Sequence, residues 1–324
     1  MKQQKRGVAI SLVVLGVCLA FAAPGAAAST LIPVTKSGFV TTADGVKIHY
    51  LEAGTGSTRG KVGWFGDPPR FAVSADAKTP VILFVPGWTM PGWIWEHQIA
   101  HFSKTHRVVA MDPRSQGESS KPAEGHHAAA RARDIKAVVD ELKLAPVVLV
   151  GWSMGVTEAV AFVDQFGTKD LSALVLVDGF AGSDFDPEAS PQMLKWAASF
   201  VIDRPKATDA FVRNMYTSAQ SEEYFQRVIR ASLQTPTNSA GALILAYVST
   251  DLRPALAQID KPTLIVAAQS PWTKYYEEMH RLIAGSRYQV FDGVGHALFV
   301  DKPAEFNSAL ADFLESVTIT ATTR

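Results

Sequence analysis

The chain carries a single cysteine, Cys18, in 324 residues. One thiol cannot close an intramolecular disulfide or build a thiolate metal cluster. A chain this long has enough core to fold without such staples. Net charge is missing as well: 31 Lys and Arg balance 31 Asp and Glu. No basic stripe stands out, which argues against nucleic acid as a partner. Charged residues are sparse at 19% against 47% hydrophobic, the composition of an ordinary globular protein. Long apolar runs are scarce too. The one such stretch occupies residues 8–23.

That stretch follows a basic start, Met1-Lys2-Gln3-Gln4-Lys5-Arg6, and precedes the small residues Ala26-Ala27-Ala28. The pattern predicts a secretory signal peptide over residues 1–28, cleaved before Ser29, and hence a periplasmic or secreted protein. A retained anchor is the alternative, but the run is short for a span and Pro24-Gly25 ends it. Leu15-Gly16-Val17-Cys18 resembles a lipidation site only roughly. Cleavage would remove Lys2, Lys5, Arg6 and Cys18, leaving a net charge of −3, no cysteine and no stable membrane span. A cysteine nucleophile in the mature chain is thereby excluded.

The stretch that organises the rest is Val147-Val148-Leu149-Val150-Gly151-Trp152-Ser153-Met154-Gly155. Its apolar run reads as a strand buried on both faces. A helical pattern starts at Met154 and runs to Phe166. A serine on so sharp a strand-to-helix turn has its hydroxyl pushed outward, and the helix aims its free N–H groups at the same place. Ser153 is therefore the candidate nucleophile.

With Val85-Pro86-Gly87-Trp88, Asp112-Pro113-Arg114-Ser115-Gln116-Gly117-Glu118-Ser119 and Gly293-Val294-Gly295-His296, this elbow makes the chain resemble the α/β-hydrolase family over most of residues 39–315. The resemblance implies a mainly parallel, doubly wound α/β sheet with an inserted helical lid. Residues 29–179 and 259–324 would form the core and 180–258 the lid. It implies oxyanion-hole donors at the backbone of Trp88 and Met154, and His296 as the base. In relatives the Asp112–Ser119 loop is structural, so Asp112 and Arg114 are read as fold-holding residues.

Residues 38–54 read as two strands about an Asp44-Gly45 turn, with His49 on the surface, and 55–79 as a loop with a possible hairpin at Val62–Phe65. Strands are expected at Val81–Val85, Arg107–Met111, Leu174–Val177, Lys261–Ala268 and Tyr288–Phe291. Helices are expected over 127–142 and 304–316, with a frayed tail from Thr318. His126 and His127 read as solvent-facing, since helix neighbours point apart and lack ligating partners. In the lid segment prolines separate the helical pieces 192–202, 207–216, 222–233 and 240–247. Met193, Trp196, Phe200 and Met215 are candidate lining residues there. Trp152, Trp93, Trp196 and Trp272 are candidate pocket walls, with core packing the alternative for Trp93 and Trp95.

The third member of a triad is not where relatives usually keep it. After the strand ending at Ala268 stands Gln269-Ser270-Pro271-Trp272, with Ser270 at the usual aspartate position. One branch of the family, typified by haloalkane dehalogenases, places its acid after the preceding strand. Asp178 falls there and is the chosen acid. Asp251, Glu277, Glu278 and Asp292 are the alternatives, the last too near His296 along the chain. The expected activity is hydrolysis of small to medium carboxylic esters or lactones, with no metal or organic cofactor. Carbon–carbon hydrolysis, cofactor-free perhydrolase chemistry, and a non-catalytic binding role are the rival readings.

Overall fold

A computed structural model describes residues 33–54, 79–182 and 190–322, the side chains of 190–194 and 318–322 excepted. The signal segment, the Val62–Phe65 hairpin and the Met193 side chain lie outside what is described. Strands β1 (Val34–Thr41), β2 (Lys47–Ala53), β3 (Val81–Val85), β4 (Val108–Met111), β5 (Val147–Trp152), β6 (Leu171–Val177), β7 (Thr263–Ala268) and β8 (Arg287–Phe291) form one sheet. Its order is β1-β2-β4-β3-β5-β6-β7-β8. Only the β1–β2 and β2–β4 pairs are antiparallel. From β4 to β8 the pairing is parallel, and β3, β5 and β7 are wholly or nearly wholly buried, as strands covered by helices on both faces must be.

The helices are α1 (Glu96–Phe102), α2 (Ala128–Glu141), α3 (Met154–Phe166), α4 (Ser190–Ile202), α5 (Arg204–Asn214), α6 (Glu222–Leu233), α7 (Thr237–Ser249), α8 (Arg253–Leu256), α9 (Thr273–Leu282), α10 (Leu298–Asp301) and α11 (Pro303–Thr322). One core joins alternate strand residues such as Phe84, Val150 and Val266 to α1, α10 and α11. The other joins Leu83, Leu149 and Ile265 to α2, α3 and α9. The period of two along each strand thus divides its residues between two cores. Helices α4 to α8 fall between β6 and β7. The last helix runs to Thr322, past the expected fraying point, since Phe306, Leu310, Phe313, Leu314 and Val317 keep one face buried.

Two histidines sit differently from the sequence expectation. His49 is buried, with Nδ1 2.8 Å from Asp112 Oδ2 and Nε2 2.8 Å from Ser37 Oγ. His126 is half-buried, its Nε2 3.0 Å from Ser115 Oγ, whereas His127 is exposed, as expected, and caps α2, its Nδ1 accepting from Ala130 N–H. Alternation in a short strand cannot say that a polar face is covered by a neighbouring loop. Asp112 holds that loop, also accepting from Gly92 N–H at 2.6 Å and Glu118 N–H at 2.8 Å.

Candidate active site

Five non-glycine residues among those described have left-handed φ, and four of them follow the carboxyl ends of consecutive strands: Thr89 after β3, Ser115 after β4, Ser153 after β5 and Asp178 after β6. Such backbone costs on the order of 1–3 kcal/mol per residue and persists where the surroundings enforce it. Ser153 has φ 55° and ψ −120°, and its side chain is partly exposed at the N-terminus of α3. The glycines around it are steric necessities. A Cβ on Gly151 would lie 2.3 Å from Gly155 O, one on Gly155 2.7 Å from Val85 O, and one on Gly179 2.3 Å from Ser153 O. Gly179→Ala is expected to cost about 2–4 kcal/mol in chemical denaturation, because the clash is with backbone that cannot yield.

His296 and Asp178, far apart in sequence, meet: Nδ1 of His296 lies 2.6 Å from Oδ2 of Asp178. The other carboxylate oxygen, Oδ1, accepts the Ala268 N–H at 2.8 Å, and the Asp178 N–H donates to Val266 O. Asp178 is 5% exposed. Backbone of β7 thus orients the carboxylate and leaves one oxygen for the imidazole. The Tyr276 hydroxyl interacts with both Asp178 and Ser270, and burial pushes this phenol well above its ordinary pKa. The usual acid position is therefore filled by a small hydroxyl beside a buried tyrosine. Among the alternative acids, Asp251 and Glu278 pair with Arg253, and Asp292 is exposed.

The His296 loop is held from three sides. Trp152 Nε1–H donates to His296 O at 2.9 Å, Gly295 N–H to Asp301 Oδ2 at 2.7 Å, and Ala297 N–H to Met215 O at 2.9 Å. This corrects the reading of Trp152 as a pocket wall. It is 1% exposed, packs edge-on against Trp95 and Phe299, and serves the histidine loop from within the core. Met215 is likewise fully buried, with a main-chain role. Asp301, missed in the sequence, also accepts from the N–H groups of Thr217 and Ser218 and so ties the insertion to the loop.

Met154, as the first residue of α3, has an N–H with no carbonyl one turn earlier to receive it. The Trp88 N–H has no acceptor among the described residues, whereas the next N–H, of Thr89, donates to Gln116 Oε1 at 2.9 Å. Gln116 also donates to Gly87 O at 3.0 Å and Met90 O at 2.7 Å, clamping the Trp88 loop on both sides. Its Oε1 takes a second bond, 2.6 Å long, from Arg131, whose Nη1 pairs with Glu158 at 2.7 Å and lies 3.3 Å from Met154 Sδ. Arg131 and Glu158 are each 1% exposed. Burial drives the Glu158 carboxyl up to about 7 and lowers Arg131. The signal was there: Arg131 stands one turn before Ile135 on the apolar face of α2, where a charge needs a buried partner.

Above the loop, Trp88 sends Nε1–H to Ala240 O at 2.9 Å and packs against Trp196, Phe200 and Phe211 at centroid separations of 5.5, 4.6 and 5.3 Å. Trp196 thus belongs to an aromatic layer over Trp88 and Met154. Trp93 is not part of it: its ring carries the Arg227 guanidinium at 3.7 Å and packs against the β-sheet core. Trp272 is 41% exposed and neighbours Tyr275 and Phe180, the latter two residues beyond Asp178. Among the described residues no cluster of His, Cys, Asp or Glu is suited to hold a metal, and no helix is long and apolar enough to cross a membrane.

A family model for the alpha/beta hydrolase fold matches residues 80–303. A bifunctional esterase/perhydrolase of Acinetobacter calcoaceticus is 27% identical over 298 residues, 86% of this chain and 100% of that one. A non-heme haloperoxidase of Rhodococcus erythropolis is 26% identical, covering 86% and 99%. An esterase of Exiguobacterium antarcticum, at 24% identity, shares the fold with a TM-score of 0.75 over 86% of this chain and 100% of that one. With the strand order, the elbow and the His296–Asp178 pair in place, the chain belongs to the α/β-hydrolase family and is a hydrolase acting on a small-molecule substrate.

Proposed function

We propose that the protein is a serine hydrolase that cleaves small to medium carboxylic esters through an acyl-enzyme on Ser153. The observation that carries this reading is the 2.6 Å contact between His296 Nδ1 and Asp178 Oδ2, at strand ends next to the strained Ser153 turn. Ser153 Oγ attacks the acyl carbon while His296 Nε2 takes its proton. Asp178 holds the imidazole in the tautomer with hydrogen on Nδ1 and stabilises the imidazolium. The oxygen that becomes negative is received by the N–H groups of Trp88 and Met154. His296 then protonates the leaving alcohol. A water deprotonated by His296 releases the acid and restores Ser153.

Helices α4 to α8 act as the lid, their aromatic layer excluding water and presenting an apolar wall at Trp196. The test is hydrolysis of p-nitrophenyl esters of rising chain length. Ser153→Ala is expected to lower kcat roughly 10⁴- to 10⁶-fold. Wild type inert on every ester would overturn the reading. The bifunctional relative favours a second reaction of the same acyl-enzyme: hydrogen peroxide in place of water gives a peracid. Peracid formation from acetate and peroxide, absent in Ser153→Ala, tests it. Export is proposed from residues 1–28, and a mature N-terminus at Ser29, found by mass spectrometry of the periplasmic or secreted protein, tests that.

A further inference from the structure

Arg204, the first residue of α5, is 8% exposed and has no acidic partner among the described residues. The contrast with the other buried arginines is clear: Arg114 pairs with Asp134 at 2.5 Å and Arg131 with Glu158 at 2.7 Å. Arg204 Nη2 donates to the Ser232 carbonyl at 3.1 Å, but its Nε and Nη1 are buried and make no hydrogen bond. The Trp88 and Phe200 rings stand 5.4 and 5.6 Å from the guanidinium carbon. Ring contacts of this kind attract the cation without receiving its remaining in-plane N–H donors. Burial lowers the Arg204 pKa to about 10, so the group is still a cation at neutral pH.

Two further buried polar atoms in the same layer lack partners: Thr208 Oγ1, one turn along α5 on the Arg204 face, and Thr235 Oγ1, three residues beyond Ser232. Ser232 Oγ in turn shares a 2.8 Å hydrogen bond with Thr89 Oγ1, next to Trp88. The unpaired cation therefore lies over the loop that carries the Trp88 N–H, with the two idle hydroxyls one turn from Arg204 and from Ser232 along their segments. A desolvated guanidinium with open donors matches the planar geometry of a carboxylate, which would supply both the missing charge and the missing acceptors.

We propose that Arg204, with Thr208 and Thr235, forms an anion subsite in the lid, and that the preferred substrates carry a carboxylate away from the scissile bond. The proposal rests on the ester-hydrolase reading for its substrate class, and on Arg204 alone for its binding claim. The test compares kcat/KM for the mono-p-nitrophenyl ester of glutaric acid with that for neutral p-nitrophenyl butyrate. The ratio is taken within each protein, so a partly folded variant does not distort it. The expected ratio is tenfold or more in wild type, expressed mainly in KM, near one in Arg204→Met, and intermediate in Arg204→Lys. A wild-type ratio near one, or the same ratio in Arg204→Met, overturns the subsite. If neither ester is cleaved, the hydrolase reading has failed separately, and calorimetric titration with glutarate decides: saturable binding lost in Arg204→Met supports the subsite, and no binding to wild type overturns it.

Discussion

Asp178→Asn lowers kcat about 10³- to 10⁴-fold, with KM within a few-fold of wild type and an unchanged circular dichroism spectrum. The geometry dictates the direction. The Ala268 N–H, 2.8 Å from Oδ1, needs an acceptor, so an asparagine must keep its carbonyl oxygen there and turn its NH2 group toward His296. The imidazole then accepts at Nδ1 and carries its hydrogen on Nε2, the wrong tautomer to take the Ser153 proton. The charge that would stabilise the imidazolium is lost as well. Steady-state kinetics on a p-nitrophenyl ester checks both. Retention of wild-type kcat would move the acid elsewhere, to Asp251, Glu277 or Glu278.

The second large effect concerns stability. Arg131→Met is expected to cost about 3–5 kcal/mol in urea unfolding, because it strands the Glu158 carboxylate in a fully buried site. Adding Glu158→Leu should recover most of that loss, since the desolvation cost of both charges then disappears. Activity should not recover in step, because Gln116 loses the Arg131 donor that fixes its clamp on the Trp88 loop. Dissociation of the two readouts distinguishes a positioning network from simple packing.

The same pair carries a pH dependence of defined sign. Burial raises the folded-state pKa of Glu158 from 4.5 to about 7. Between these values the folded chain holds this proton more tightly than the unfolded chain does. The contribution of Glu158 is therefore present at low pH and lost as pH rises through about 7. Relative to wild type, Glu158→Gln should gain stability between pH 5 and pH 8, measured as the difference in urea midpoint at each pH. A difference that is flat across this window would contradict the assignment.

What could be read in advance was what local patterns encode. Apolar runs of four to six residues ending at Val85, Met111, Val150 and Val177 located the buried strands, and Gly151, Ser153 and Gly155 located the elbow between β5 and α3. Asp178 was readable because an absence at Ser270 directed attention to the adjacent strand end, and β6 and β7 do pair. The long-range partners were not readable. Nothing local tells that Trp152 reaches the His296 carbonyl, that Asp301 ties Gly295 to Ser218, or that Asp112 covers His49. These bonds join residues whose meeting depends on the whole sheet order. Trp152, Trp93, Trp196 and Trp272 look alike in sequence, yet the structure places them in the core, under an arginine, in the aromatic layer over Trp88 and at the surface. Arg204 shows the same limit, since an arginine at a helix start reads as solvated until α6 and Trp88 close over it.

The central claim is that Ser153, activated by His296 and held by Asp178, is the nucleophile. The direct measurement is the rate and site of labelling by a fluorophosphonate, followed by peptide mass spectrometry. One adduct per chain is expected, on the peptide containing Ser153. Labelling should be slowed at least a hundredfold in His296→Ala and in Asp178→Asn, each folded as judged by thermal melting. No adduct at Ser153 in the folded wild type, or Asp178→Asn labelled at the wild-type rate, would contradict it.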